Sequence, residues 1–191
     1  ALFTGGNMMF LLRGLGMTLL LTTCGCGIGL VGGFLAAYVR TGRGRLMAPA
    51  RILATVYVEI FRRIPFLVTL FLVLYASQIF FTRVPMFWVA ATAICFMSAA
   101  YLAEIVRAGI ESIPHTQMDA AEVMNFSRFQ AMRMVVLPQA VKVIFPATIA
   151  YVVMFVKDTA LASQAGVFEL MFAGKALINR GLDPFLVAAP A

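Results

Sequence analysis

Residues 117–140 read QMDAAEVMNFSRFQAMRMVVLPQA, the one long polar interruption between segments that otherwise have the composition of a membrane interior. Thr116, with Asp119 three residues on, predicts a capping-box start, because a hydroxyl and a carboxylate satisfy the free amides of a helix's first turn. Pro114 ends whatever helix precedes it. From Asp119 the apolar residues Ala120, Val123 and Met124 fall at helical spacing. A short amphipathic helix is therefore expected, stopping near Asn125, a residue that tolerates the left-handed backbone used at helix ends. Phe126, Phe129 and Met132 then carry large apolar groups beside Arg128 and Arg133. A polar stretch studded with aromatics and lying between two membrane spans suits insertion into a groove on another protein. The plainer reading is an amphipathic loop on the membrane surface.

Outward from this stretch, the chain is apolar. Of 191 residues 62% are hydrophobic and 12% charged, far too few polar groups for a soluble domain of this size. The net charge of +7 does not mark a nucleic-acid binder, because the basic residues sit in short loops and form no patch interleaved with exposed aromatics. Arg40, Arg43, Arg45 and Arg51 fall in one loop with no acid among them, the signature of a cytoplasmic loop. Cys24, Cys26 and Cys95 lie in apolar segments without a His or Cys cluster at metal-ligand spacing, so no metal site or disulfide is expected. The first apolar stretch is long and lacks a basic leader and a cleavage site, so it reads as a retained span rather than a signal peptide.

The expected fold is an all-α polytopic membrane helical bundle, a single domain over 1–191. It has four spans, at about 8–39, 52–81, 86–109 and 138–158, and the start of a fifth from 184. In the first, Gly25, Gly29 and Gly33 recur every four residues and lay a smooth strip where another helix can approach. In the second, Glu59 stands three and four positions before Arg62 and Arg63, so these charges pair along one face, and Pro65 kinks the helix or starts a new one. Thr82 to Pro85 form a tight turn, and Glu104 and Arg107 repeat the three-residue pairing near the end of the third span. With the arginine loop inside, the third span returns inward and places the 114–138 loop in the cytoplasm. The fourth span, counted from Pro138, is apolar from 143 to 156. That is only about 21 Å of a core of roughly 30 Å, which puts Lys157 and Asp158 at membrane depth as candidate pathway residues. If its helix instead starts upstream of Pro138, Lys157 snorkels to the outer surface. Residues 159–167 suit a broken segment lining a cavity, and 169–184 an outer interfacial connection.

The central stretch also resembles a known motif. Asp119-Ala120-Ala121, three residues, Asn125, nine residues, then Val135-x-Leu137-Pro138 is similar to the "EAA" loop of ABC importer permeases, Glu-Ala-Ala, three residues, Gly, nine residues, Ile-x-Leu-Pro. Asp119 stands for Glu, and Asn125 for Gly. Residues 57–65, YVEIFRRIP, resemble YVELFRGTP of polar amino-acid ABC permeases, with Arg63 and Ile64 in place of Gly and Thr. Residues 100–110, AYLAEIVRAGI, resemble AYxAEIxRGGI, and residues 157–163, KDTALAS, resemble KDTSLAS. Together these point to the histidine/glutamine type of permease. That resemblance implies a coupling helix formed by Asp119, Ala120, Ala121, Asn125, Leu137 and Pro138, docking on a separate ATPase dimer that binds ATP and magnesium. It also implies a second permease subunit, identical or homologous, an external substrate-binding protein, and a place in the bacterial cytoplasmic (inner) membrane. No cofactor on this chain and no nucleic-acid partner are expected.

The functional expectation is the permease subunit of an ATP-driven importer for a polar or charged amino acid, working by alternating access. Lys157, Asp158 and Thr159 are the candidate pathway, since an ammonium, a carboxylate and a hydroxyl can meet a zwitterion's charges. Glu59, Arg62, Arg63, Glu104 and Arg107 are taken as structural ion pairs. The alternative is a secondary transporter or channel driven by an ion gradient, for which only Lys157 and Asp158 offer mid-membrane ionisable groups. An intramembrane enzyme is poorly supported: His115 lies beside Pro114 with no second catalytic group. ATP hydrolysis by this chain is not expected either, because Gly174-Lys175-Ala176 lacks the earlier glycine and the magnesium-binding hydroxyl of a phosphate loop.

Overall fold

A computed structural model describes residues 5–41, 47–81 and 83–182, and their regular structure is helical throughout. Helix α1 (Gly5–Thr41) is the longest, and it lies along α4 (Met86–Glu111), the most buried of the long helices. The glycine strip is what lets them touch. A Cβ on Gly25 would lie 2.1 Å from Ile94 Cγ2, one on Gly29 would lie 2.3 Å from Ser98 Cβ, and one on Gly33 would lie 2.8 Å from the backbone nitrogen of Ala103. The close approach expected from the four-residue spacing is thus present at each of the three positions.

Between α1 and α4 come α2 (Ala48–Arg63) and α3 (Phe66–Phe80), which turn by 115° at Ile64 and Pro65. Proline disfavours the helical conformation at the residue before it, and Ile64 is extended at φ −84°, ψ 131°. Pro65 then opens α3, its carbonyl accepting from the amides of Val68 at 3.0 Å and Thr69 at 3.1 Å. Residues 52–81, expected as one span, are therefore a broken pair. Among the described residues three helices are long and apolar enough to cross a membrane, and a fourth crossing follows if the pair acts as one. Thr82 of the expected turn lies outside the described residues, as does the expected fifth span from 184.

The polar stretch forms α5 (His115–Val123) and α6 (Arg128–Ala131), then a π-helical turn (Met132–Val136) that runs into α7 (Leu137–Asp158). The helix expected as the fourth span does not begin at Pro138 but belongs to a helical path from Arg128 to Ala165. Proline inside an α-helix clashes with the carbonyl four residues back, here that of Met134. The wider π turn at that place relieves the clash and lets the helix continue. After Asp158 the path tightens into a 3₁₀ turn (Thr159–Ala165), closed by Gly166 at φ 79°, a left-handed conformation that glycine adopts without steric cost. Aromatic rings tie the layers together: Phe66 of α3 meets Phe155 of α7, which meets Tyr151, which stacks on Tyr101 of α4 at 5.3 Å.

Within residues 169–182, expected as a connection, the chain forms a helix docked on α1. Glu169 is 1% exposed and caps α8 (Leu170–Asn179), accepting from the amides of Met171 at 2.9 Å and Phe172 at 2.7 Å. Thr18 of α1 donates to the same carboxylate at 3.4 Å and accepts from the Leu170 amide. α8 therefore packs on α1, where Ala173 and the Glu169 carbonyl sit against Gly14.

Candidate functional site

The stretch built around α5 has three properties that a docking element needs. It has a defined shape, an exposed apolar surface and a stiff connection to the bundle. Shape comes first from its ends. Pro114, not Thr116, is the residue before α5, and no side chain caps it, so Thr116 and Asp119 lie within the helix and the expected capping box is not made there. The capping box is eleven residues further on. The Ser127 hydroxyl accepts from the Gln130 amide at 3.3 Å, and the Gln130 side chain accepts from the Ser127 amide at 2.8 Å. Between the two helices Asn125 takes φ 59°, while the amides of Asn125 and Phe126 bond back to the carbonyls of Glu122 and Ala121, both at 3.0 Å. This is a Schellman turn, and the left-handed residue expected at Asn125 is there.

The apolar surface is open to a partner. Val123 is 84% exposed and Phe129 72% exposed, with Met124 between them also out in the open. Asp119 and Ala120 are exposed, whereas Ala121 is buried against the rest of the stretch. The stiff connection is α6, the π turn and α7, one helical rod that carries Leu137 and Pro138 from the loop into the membrane segment. Gln139 of α7 reaches back to Gln117 of α5 at 3.4 Å and to the Val135 carbonyl at 3.0 Å.

Above this lies a charged knot that the sequence shows only in part. Glu104 of α4 holds Arg107 of its own helix, as the spacing predicts. It also holds Arg40 of α1 at 2.8 Å and Arg62 of α2 at 3.5 Å. Arg40 is in the last turn of α1 rather than in a loop, and Arg43 and Arg45 lie outside the described residues. Arg63 pairs with Glu59 at 2.9 Å as expected, but Arg62 does not join them. It turns to Glu104, lies over the Tyr101 ring, and offers its carbonyl to the Tyr101 hydroxyl at 3.1 Å. Arg107 is bonded to Glu111 as well. One carboxylate thus joins three helices, and Arg40 and Arg62, both at long sequence range, are the members that spacing arguments miss.

Lys157, Asp158 and Thr159 follow one another at the junction of α7 and the 3₁₀ turn but do not converge on one point. Lys157 is exposed, Asp158 half-buried, and Thr159 buried with its hydroxyl donating to the Val156 carbonyl at 2.6 Å. Nearby, Lys175 of α8 donates to the Ser163 hydroxyl at 3.2 Å. Among the described residues no group of His, Cys, Asp and Glu is arranged to hold a metal ion.

Residues 29–189 match the family described as the inner membrane component of binding-protein-dependent transport systems. The chain belongs to that family. Among relatives of this permease, the putative glutamine transport system permease protein of Rickettsia felis is 33% identical over 166 residues, 86% of this chain and 75% of that protein. The arginine transport system permease protein ArtQ of Bacillus subtilis is 32% identical over 184 residues, 94% and 82% of the two chains. In structure the permease is similar to an amino acid ABC transporter solved with histidines, with a TM-score of 0.86 and 31% identity over 95% of this chain and 86% of that one. The methionine transporter MetNI shares the fold at TM-score 0.75 and 23% identity, over 87% and 79% of the chains.

Within this permease the Schellman turn gives a direct prediction. Asn125→Gly removes the steric cost of the left-handed backbone and is expected to leave the loop intact, whereas Asn125→Val forces a β-branched residue into it, at about 1–2 kcal/mol. Limited proteolysis of the loop reads the difference: Val accelerates cleavage between α5 and α6, and Gly does not.

Proposed function

We infer that this chain is the membrane-spanning permease subunit of an ATP-driven importer in a bacterial cytoplasmic membrane, and that its cargo is a polar or charged amino acid. The observation that carries the reading is the α5 to α7 arrangement: an exposed apolar docking helix, fixed by a left-handed turn at Asn125, joined through one helical rod to a membrane helix. Such a rod transmits movement of a docked partner into the bundle. Asp119, Ala120, Ala121, Asn125, Leu137 and Pro138 form this coupling element. The partner is a cytoplasmic ATPase dimer that binds ATP and magnesium, a second permease subunit completes the pathway, and an external binding protein delivers the amino acid. Closure of the ATPase dimer then rocks the membrane helices and switches the accessible side. The glutamine and arginine permeases among the relatives support the cargo class.

For the pathway, half-buried Asp158 is the group available to meet a zwitterion's ammonium, and Lys157, exposed on a helix that starts upstream of Pro138, meets the carboxylate at the outer end of that helix. Thr159 follows them, its hydroxyl donated to the Val156 carbonyl. The test is uptake by proteoliposomes holding the purified complex, with an amino-acid-loaded binding protein outside and ATP inside. ATP-dependent uptake that Phe129→Glu abolishes, while the complex's helicity is unchanged, supports the reading. Uptake driven by a proton or sodium gradient without ATP would overturn it.

A further inference from the structure

The ends of α1, α2 and α4 border an open cleft of about 330 Å³ lined by Arg40, Arg51, Ile52, Thr55, Val56 and Arg107. Three features point to one class of ligand. The first is charge. Three arginines, Arg40, Arg62 and Arg107, share only two carboxylates, Glu104 and Glu111, and Arg51 also lines the wall. The planar fork of a guanidinium matches a phosphate better than any other common anion-binding side chain does. The Arg40 side chain, 9% exposed and held by Glu104, is already fixed in place.

Depth is the second feature. Arg40 is in the last turn of α1, Arg51 in the first turn of α2, and Arg107 near the end of α4. The ends of α1 and α4, both apolar enough to cross a membrane, lie where a bilayer's phosphates lie, and Arg51 of α2 stands beside them. The third is the rim. Ile52 and Val56 line the cleft while remaining exposed, and Leu53 beside them is exposed too, so the cationic floor has an apolar edge facing outward. A soluble anion has no use for that edge, whereas the glycerol and first methylenes of a lipid do.

We propose that this cleft binds the phosphate of an anionic phospholipid headgroup, with Arg40, Arg51 and Arg107 as its donors and Ile52 and Val56 against the start of the acyl chains. The site is independent of the transported solute and of the ATPase. It places a lipid beside the joint of α1, α2 and α4, because Arg40, one of its donors, also ties α1 to Glu104 of α4.

Native mass spectrometry of the detergent-purified complex, titrated with phosphatidylglycerol, phosphatidylcholine or soluble glycerol phosphate, tests this. Phosphatidylglycerol is expected to be retained at least about fivefold better than phosphatidylcholine. Arg51→Gln is expected to lower that retention about fivefold, as loss of one interfacial cation does, and Arg51→Lys to restore most of it. Ile52→Glu places a carboxylate at the exposed rim without touching the Glu104 knot, and is expected to weaken binding similarly even if Arg51→Gln does not fold. Equal retention of the two lipids, or retention unchanged in both the Arg51→Gln and Ile52→Glu variants, would overturn the proposal. Glycerol phosphate competing as strongly as the lipid would overturn the lipid assignment in favour of a soluble phosphate ester.

Discussion

Glu104→Gln is expected to loosen the junction of α1, α2 and α4 by about 3 kcal/mol, the low end of what removing one member of a buried charge pair costs. The amide keeps the shape of the side chain but not its charge, and three guanidinium groups on three helices lose the anion they share. The Glu104 side chain is 18% exposed, so water replaces little of what is lost. Titration of the detergent-solubilised protein with dodecyl sulfate, followed by circular dichroism, reads the loss as an earlier midpoint. Adding Arg40→Gln to the Glu104→Gln protein should recover part of it, because a buried guanidinium no longer stands unpaired. A Glu104→Gln protein as stable as the parent would mean that the knot is only a surface ion cluster.

Gly33→Val is expected to separate α1 from α4, at a cost of about 3 kcal/mol, the upper end for overpacking. A Cβ there would meet not only the Ala103 nitrogen but also the Leu102 carbonyl carbon at 3.0 Å, and backbone cannot swing aside as a side-chain terminus does. Gly27 is the internal control. On the exposed side of the same helix, its Cβ would meet nothing within 4 Å, and Gly27→Ala should gain the roughly 0.5–1 kcal/mol by which alanine favours a helix over glycine. Thermal unfolding of both variants checks the pair: opposite signs are expected. Equal losses would show that α1 tolerates no substitution on any face, for reasons other than the glycine strip.

These residues also show what sequence reasoning reaches. The glycine strip, the break at Pro65, the left-handed Asn125 and the Glu59–Arg63 and Glu104–Arg107 pairs were all legible, since each rests on local sterics or on helical spacing within a few residues. The capping box forms at Ser127 to Gln130 and not at Thr116 to Asp119, although both satisfy the local pattern, because α5 already begins after Pro114 and Thr116 lies inside it. Arg62 was assigned to Glu59 because spacing names the local acid. Glu104, across the helix interface, takes it instead. The burial of Glu169 was hidden, as a carboxylate in a weakly polar stretch reads as solvated until Thr18 and two backbone amides are seen to surround it. The continuation of the helix through Pro138 depends on a π turn, for which residue preferences give no signal.

The coupling role of the α5 to α7 stretch is tested most directly by a photo-crosslinking amino acid placed at Val123, whose side chain is exposed at the tip of α5, with irradiation in native membranes and mass identification of the adduct. A crosslink to an ABC ATPase subunit, lost when the same probe replaces the buried Ala121 side of the helix, is the predicted result. Adducts to lipid alone, in membranes where the chain still moves solute, would contradict it.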